Sequence, residues 1–488
     1  MMDSGEIERK SPKTKISDLF KLVDKNTDSF IDKLKEAVSI PSVAKDPKYR
    51  ADVVKMLKLC EEKLKRLGFL VTVVDGNDKS RNTDLPPVIF AELRVNEEYK
   101  TICVYGNIDF LAPEPDVQPS AFTMTEKEGR FYGSGVSDNK APLLCWFNAL
   151  KMFKLAKMDI PVNVKFIIEA TSESYSVSLL NAIESKRDFF GDVEFICLTI
   201  DRRIDDDVPC LKYGYRGLCH FLFNVSCGEK KVHGGTYGGA FNQPLMDTVH
   251  IVSSLINKHG KCVVPEFLKD VKTFTEEDDK WCKKEVCDVE AIKRETGLTS
   301  LSHKGIKSRL ITHKTRLPSI SVNSFSIKSE SADRENIASI PNKIEASFAV
   351  RLVPNQKASR ALSQFGRYIE NLWSRYQSAN DCQFEMTIGL DPWQGNPSSN
   401  HYKAAEAAIK SVYNVTPKYV TEGNTIPIVS ILGEKCPGSN MVVMPISGKN
   451  DNHHTKCESI SRNNYIKGVK LLIAYMCEVH ELTFVASM

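Results

Sequence analysis

Residues 101–110 read Thr-Ile-Cys-Val-Tyr-Gly-Asn-Ile-Asp-Phe, a short apolar run that ends in a glycine, an amide and a carboxylate. Ile102–Tyr105 is rich in strand-forming residues, which is typical of a buried strand. Open α/β sheets bind ligands at the carboxyl ends of their strands, so Gly106-Asn107-Ile108-Asp109 lies where a functional site is expected. Alone this cluster is weak evidence, because Asp and Asn after a strand commonly cap the next helix.

Strand-like and helical patterns alternate on both sides of this stretch. Short apolar runs predict strands at Leu70–Val74, Val88–Leu93, Val162–Ile168, Phe195–Ile200 and Met441–Ile446. Apolar residues at helical spacing predict helices within Ile16–Lys65, over Ala141–Leu155, from His401 through Val412, and over Tyr465–Leu482. The alternation predicts an α/β fold with a central mixed sheet flanked by helices.

A different order of elements separates the two α/β parts. It comprises a strand Tyr213–Val225, a helix Leu245–His259, a strand Ile344–Val353, a helix Ala358–Tyr376 and a strand Phe384–Leu390. This order resembles an α+β, ferredoxin-like β-α-β-β-α-β unit with an elaborated middle, in which residues 265–315 are charged and irregular. We therefore predict a first domain of residues 16–210 and 393–488, an inserted domain of residues 211–392, and a mobile tail of residues 1–15.

The composition excludes several classes of protein. Of 488 residues, 42% are hydrophobic and 26% charged, and Lys plus Arg (66) nearly balances Asp plus Glu (62), which argues against nucleic-acid or anionic-membrane binding. No run approaches the ~18 apolar residues of a membrane span, and the N-terminus lacks the apolar core of a signal peptide. The 14 cysteines lie singly, without a CxxC pair, so we expect reduced thiols and a cytoplasmic protein.

Five polar clusters follow apolar strands. They are Gly106–Asp109, Gly135–Lys140, Ser172–Ser174, Ile200-Asp201 and Asn452–His454. Together they supply carboxylates and an imidazole from separate strand ends, and such a set suits a metal ion with oxygen and nitrogen ligands. The alternative is that the carboxylates only cap helices around an empty cleft.

Longer motifs carry a resemblance to a known family. They are Val104-Tyr105-Gly106, Gly129-Arg130-Phe131-Tyr132-Gly133-Ser134-Gly135, Tyr213-Gly214-Tyr215-Arg216-Gly217, Tyr237-Gly238-Gly239, Arg351-Leu352-Val353-Pro354-Asn355, Glu422-Gly423 and Asn464-Tyr465-Ile466. From about residue 20 onward, the chain resembles the carnosinase and cytosolic non-specific dipeptidase branch of the di-metal peptidases, whose wider family includes aminoacylases and glutamate carboxypeptidases. The resemblance implies a catalytic α/β domain, an inserted lid domain and a homodimer formed through the lid.

The resemblance also implies two metal positions. One ion would be held by Asp138, Glu173 and His454, and the other by Asn107, the bridging Asp138 and Asp201. Asn107 stands where the family has a histidine ligand, and an amide oxygen is a weak ligand for zinc. We therefore expect at most one firmly bound divalent ion, zinc or manganese, per chain.

The general base of the family is missing. The family motif Glu-Glu-Ser reads Ser172-Glu173-Ser174 here, so Ser172 occupies the position of the base. Asp109 matches the aspartate that orients the site, whereas Asn139 and Ala141 depart from the family pattern. A serine hydroxyl cannot act as a base near neutral pH without its own activating group, and loss of a general base costs about 10²–10⁴ in rate.

Three further residues match substrate-binding positions of the family. Arg351 matches the residue that grips the substrate's terminal carboxylate, and Glu422 matches the acid that meets its free amine. His233 matches a lid histidine that reaches the neighbouring subunit's active site and steadies the oxyanion. Ala338 stands near a position where relatives tend to have a threonine. The alternatives are that Arg351 pairs with a surface acid and that His233 is a turn residue.

Three functional hypotheses remain open at this point. The residues favour a metallodipeptidase homologue that binds dipeptide-like molecules but is catalytically impaired. The alternative is an active metallodipeptidase or carboxypeptidase with an altered base and one metal ion. A structural or storage role has no positive sign in the sequence.

Overall fold

The computed structural model describes residues 12–77, 84–113, 120–273, 275–276, 288–327, 338–436 and 440–485. Its internal contacts divide the chain into two units. The first comprises Met1–Tyr213, Gly395–Val420 and Lys435–Met488, and the second comprises Gly214–Gln394 and Thr421–Glu434. Residues 421–434, which the sequence-based division assigns to the first domain, therefore belong to the second unit. The catalytic and lid roles of the two parts stay predictions.

A mixed sheet forms the centre of the first unit. Its strands lie in the order Leu70–Val74, Val88–Leu93, Asn163–Glu169, Thr101–Asn107, Phe195–Leu198, Asn440–Val443 and Cys210–Tyr215. Thr101–Asn107 pairs in parallel with both of its neighbours, and Asn440–Val443 pairs in parallel with Phe195–Leu198. The other pairings along this order are antiparallel. The predicted α/β fold is confirmed.

Helices cover this sheet. Ala141–Leu155 is apolar around nearly its whole circumference and almost entirely buried, as expected for a helix enclosed by other elements. It packs against Arg462–Val485, which also packs against Asn400–Tyr413. The remaining helices of the unit are Pro12–Lys25, Thr27–Val38, Arg50–Leu67 and Val177–Ile183. Within the described part of the chain, no helix has the length and apolar character needed to cross a membrane.

The second unit contains an antiparallel four-stranded sheet. Its strands lie in the order Ser319–Ile327, Lys343–Leu352, Gly217–Ser226 and Asp381–Leu390. The helices Pro244–Ser253 and Ala358–Tyr376 pack on it, which completes the predicted β-α-β-β-α-β order. Shorter helices are Gly234–Tyr237, Val289–Thr296, Lys307–Ile311 and Pro427–Lys435. Shorter strands of the whole chain are Thr125–Lys127, Arg130–Tyr132, Val232–His233, Ser339–Ile340, Trp393–Gln394, Lys418–Glu422 and Ser459–Ser461.

Several element boundaries differ from the sequence-based ones. The predicted strand Tyr213–Val225 is two strands that meet at Gly217, where a Cβ would lie 2.5 Å from the carbonyl oxygen of Leu390. The helix predicted to reach His259 ends at Ser253, because Asn257 Oδ1 accepts two backbone hydrogen bonds and holds a turn. The first helix begins at Pro12, inside the predicted tail, and residues 1–11 lie outside the described residues.

A candidate metal centre

The parallel strands of the first unit bring most of the predicted clusters to one edge of the sheet. Asn107 ends its strand, and Ser172 and Asp201 follow the ends of the neighbouring strands. His454 follows Asn440–Val443, and Asp138 lies in the turn before the helix Ala141–Leu155. Because the carboxyl ends of parallel strands share an edge, these residues lie where ligands of α/β proteins bind.

Asp138, Glu173 and His454 form one group of donor atoms. Their side-chain ligand atoms all lie within 4.8 Å of one another. His454 Nε2 is 2.8 Å from Asp138 Oδ2 and 3.4 Å from Glu173 Oε1. His454 also takes a left-handed backbone conformation, with φ of +63°, which few residues other than glycine adopt.

The charges of this group depend on one another. The hydrogen bond to Asp138 raises the pKa of His454 to about 9. Burial raises the pKa of Glu173 to about 7, with His454 opposing the effect. Burial also lowers the pKa of the neighbouring His453, whose Nδ1 lies 3.7 Å from Asp138 Oδ2. Two carboxylates that share a single imidazole leave an excess of negative charge, which a divalent cation would neutralise.

Glu458, which the sequence analysis missed, fixes the loop that carries Asp138. The fully enclosed carboxylate accepts hydrogen bonds from the backbone N–H groups of Gly135 (2.7 Å), Ser137 (2.8 Å) and Asp138 (3.0 Å). Ser137 Oγ donates a fourth, at 2.9 Å. Burial raises the pKa of Glu458 to about 7. In the sequence, Glu458 is a single acidic residue shortly after Asn452–His454, and such a residue alone predicts no role.

The side chain of Asn107 is hydrogen-bonded to Asn139, Ser172 and Asp109. Its Oδ1 accepts from Asn139 Nδ2 (3.1 Å), and its Nδ2 donates to Ser172 Oγ (2.9 Å) and to the Asp109 carbonyl oxygen (3.2 Å). Ser172 Oγ donates to Asp109 Oδ1 at 2.8 Å, and Asp109 Oδ2 accepts from Glu173 N at 3.0 Å. We call Asn107, Asn139, Ser172 and Asp109 the amide cluster.

Asp201 lies outside the group formed by Asp138, Glu173 and His454. Its Oδ2 is 2.6 Å from Lys212 Nζ, and its Oδ1 accepts from Arg202 N at 2.7 Å. Lys212 was also missed from the sequence. The available signal was a single lysine within an apolar run, Cys-Leu-Lys-Tyr at residues 210–213.

The two predicted metal positions therefore differ in how well their residues fit an ion. Two carboxylates and an imidazole are ligands that zinc and manganese accept, so Asp138, Glu173 and His454 fit one divalent ion. At the other position the oxygen of Asn107 already accepts a hydrogen bond and Asp201 is ion-paired with a lysine. Asn107 and Asp201 do not fit an ion as they stand.

Predicted substrate-binding residues lie in the second unit. Arg351 Nη1 donates to Thr425 Oγ1 at 2.5 Å, and Thr425 Oγ1 donates to the carbonyl oxygen of Arg216 at 2.7 Å. Arg216 is buried, and burial followed by repulsion from Arg351 lowers its pKa to about 10. Arg216 Nε also donates to the carbonyl oxygen of Gly423, next to Glu422, at 2.7 Å. Two guanidinium groups and an acid thus lie in one part of this unit.

His233 lies on an exposed two-residue strand of the same unit. Val232–His233 pairs antiparallel with Ser339–Ile340, and His233 Nδ1 is 3.4 Å from Thr236 Oγ1. Ala338 accepts a backbone hydrogen bond from Gly234 at 2.5 Å. The role of His233 in a neighbouring subunit stays a prediction.

An α/β domain with carboxylates and an imidazole gathered at its strand ends is an arrangement that metallopeptidases use. The chain belongs to peptidase family M20/M25/M40, whose model matches residues 103–478. The human Beta-Ala-His dipeptidase is 32% identical over 487 residues, covering 96% of this chain and 94% of that protein. The Cys-Gly metallodipeptidase dug1 of Schizosaccharomyces pombe is 27% identical over 485 residues, covering 97% of this chain and 100% of the relative.

Solved structures agree with this assignment. Human carnosine dipeptidase 1 is similar with a TM-score of 0.81 at 32% identity, covering 96% of this chain and 99% of that one. The di-peptidase Dug1p from Saccharomyces cerevisiae gives a TM-score of 0.82 at 26% identity, covering 96% and 98%. The predicted family and fold class are thereby confirmed, and the chain is a homologue of metallodipeptidases.

Proposed function

We propose that this chain is a catalytically impaired metallodipeptidase homologue that holds one divalent ion and binds dipeptide-like molecules. The observation that carries the proposal is the amide cluster. The proton of Ser172 Oγ is donated to the buried Asp109, and the same oxygen accepts from Asn107. The hydroxyl proton of Ser172 is therefore already donated, and the position offers no carboxylate to take a proton from water.

The remaining residues support binding rather than turnover. A divalent ion held by Asp138, Glu173 and His454 would supply Lewis-acid polarisation of a substrate carbonyl. Glu173 is itself one of the candidate ligands, so it is not available as a free base at the position of Ser172. Asp109 cannot replace the base, because it is buried and accepts hydrogen bonds from Ser172 and from Glu173 N.

The second unit supports recognition of a peptide's two ends. A planar guanidinium such as Arg351 forms bidentate hydrogen bonds with a carboxylate. The neighbouring Arg216 adds a second guanidinium there; burial, followed by repulsion from Arg351, lowers its pKa to about 10. Glu422 would meet an amino group. The names of the relatives, Beta-Ala-His and Cys-Gly dipeptidases, suggest the dipeptides to try first.

We further propose a cytoplasmic homodimer. The cytoplasmic location is supported by the thiols, since none of the described cysteines forms a disulfide. The dimer is supported by the family resemblance and by the exposed position of His233.

The decisive experiment is a hydrolysis assay with β-Ala-His and Cys-Gly in the presence of manganese or zinc. We expect turnover about 10²–10⁴ below that of human Beta-Ala-His dipeptidase assayed in parallel, because the base is missing. Calorimetry should still detect binding of the same dipeptides, and this binding should weaken in Arg351→Ala.

The matched variants are Ser172→Glu, which restores the carboxylate, and Ser174→Glu, which adds one two residues away. Neither change alone should restore turnover, because the second metal position remains incomplete. Turnover by the unmodified chain at a relative's rate would contradict the proposal and favour an active one-metal enzyme with an altered base.

A further inference from the structure

We infer that Lys212 takes the place of the second metal ion: its ammonium group neutralises Asp201 and excludes a divalent cation from that position. The inference rests on the proposed function, which it deepens by assigning a residue to the missing ion. The family resemblance implies that Asp201 is a metal ligand. In this chain a cationic side chain, that of Lys212, is ion-paired with it.

The contact between the two side chains is short and shielded. Lys212 Nζ lies 2.6 Å from Asp201 Oδ2, and the exposed fractions of the two side chains are 1% and 12%. The other carboxylate oxygen of Asp201 accepts from Arg202 N at 2.7 Å. Both oxygens of Asp201 therefore have partners.

The register of the sheet places Lys212 level with Leu198, so its long side chain extends along the strand direction to reach Asp201. Lys212 pairs with Val443, and Val443 pairs with Leu198 on the other side, three residues before Asp201. Tyr402 Oη donates to the carbonyl oxygen of Lys212 at 3.0 Å. The backbone of the lysine is therefore fixed from the sheet and from a helix, and its side chain is almost fully enclosed at 1% exposure.

Charge explains why Asp138, Glu173 and His454 suit a metal ion, whereas Asn107 and Asp201 do not. An isolated buried ammonium is very costly, so a lysine in an apolar strand requires a carboxylate partner. The pair of Lys212 and Asp201 has no net charge, and an incoming divalent ion would meet a like charge at short range. Asn107 adds only a neutral amide. The carboxylates of Asp138 and Glu173 face no comparable lysine contact among the described residues.

The test measures bound manganese alone, by elemental analysis of dialysed protein and by electron paramagnetic resonance. We expect one ion per chain in the unmodified protein and one in Asn107→His. In the double variant Asn107→His, Lys212→Met we expect two ions, with the exchange-coupled spectrum of a manganese pair. Two ions in Asn107→His alone, or one ion in the folded double variant, would overturn the inference.

Two controls separate charge removal from general damage. Lys165 is another buried lysine of the same sheet and is ion-paired with Asp192, so Asn107→His, Lys165→Met should keep one ion. Asn107→His, Lys212→Arg retains the cation and should also keep one ion. If the methionine variant does not fold, Lys212→Ala in the same background, which leaves room for water, carries the same expectation of two ions.

The outcomes also separate this inference from the proposed function. Two tightly bound ions in the unmodified chain, or dipeptide turnover at a relative's rate, would contradict the proposed function itself. One ion and no turnover in the unmodified chain, with two ions in Asn107→His, would contradict only the role of Lys212.

Discussion

Asn107 lies between Asn139 and Ser172 and is hydrogen-bonded to both. Asn107 accepts from Asn139 and donates to Ser172. A buried polar group without a partner costs about 1–3 kcal/mol, so the side chain of Asn107 depends on Asn139 and Ser172 for its hydrogen bonds, whereas Asn139 Oδ1 has no hydrogen-bond partner among the described residues. The resemblance located the three positions, but only the structure shows that they form one hydrogen-bonded set.

A second buried polar residue predicts a dependence of stability on pH. Burial lowers the pKa of the His401 imidazole to about 3, below its ordinary value near 6.5. The neutral imidazole is hydrogen-bonded to Tyr475. Above pH 6.5 both folded and unfolded states hold it neutral. As the pH falls from 6.5 toward 3, the unfolded state binds the proton first, so stability falls by up to about 1.4 kcal/mol per pH unit.

The check is urea unfolding of the unmodified chain and of His401→Gln at pH 7 and pH 5. The variant should be less stable at pH 7 but should lose about 2 kcal/mol less than the unmodified chain between these pH values. His259→Gln, which removes an exposed histidine, is the matched control and should follow the unmodified chain. Equal pH responses for all three proteins would contradict this account of His401.

At the scale of elements, strong periodicity decided what the sequence could predict. The helices Ala141–Leu155 and Ala358–Tyr376 have the predicted bounds, because their apolar residues recur at helical spacing. The strand Ser319–Ile327 was not predicted. It lies at the edge of its sheet and most of its residues are exposed, and its apolar residues are separated by Ser and Asn, so it does not form the continuous apolar run of a buried strand.

The loop before Ala141–Leu155 allows a prediction about Glu458. In the unmodified chain, backbone N–H donors point at both oxygens of the Glu458 carboxylate. In Glu458→Gln, an NH₂ group replaces one of these oxygens and faces a donor. We expect a loss of about 1.5–3 kcal/mol in stability, since hydrogen bonds to a charged group are being removed. Manganese binding should weaken as well, because the hydrogen bond from the backbone N–H of Asp138 to Glu458 holds this candidate ligand in place.

Thermal unfolding and manganese titration measure both effects. Glu229→Gln, on the exposed surface, is the matched control and should alter neither. A Glu458→Gln protein with unchanged metal affinity would show that this carboxylate has a purely structural role.

At the scale of the whole molecule, the sequence predicted the fold and one group of candidate metal ligands but not the pairing of charges. Asp138, Glu173 and His454 were identified through motifs, and the structure groups them. Lys212 could not be assigned to Asp201 from the sequence, because their contact depends on the register of a strand that lies between their two strands. Such contacts are fixed by tertiary structure rather than by local pattern.

The proposed homodimer is tested by sedimentation velocity at micromolar concentration. We expect the mass of two chains, about twice the 54.8 kDa of one. His233→Ala should leave this mass unchanged and should weaken dipeptide binding, if His233 reaches the partner's site as the resemblance implies. A monomer at these concentrations would remove the reason for assigning His233 to a neighbouring subunit.

The amide cluster also has an evolutionary consequence. Under the proposed function, a base would return only by replacing Ser172, and that change breaks the hydrogen bonds that Ser172 makes with Asn107 and Asp109. Such a step would pass through a less stable protein. Folding stability would then favour further change in ligand preference over a return of peptide cleavage.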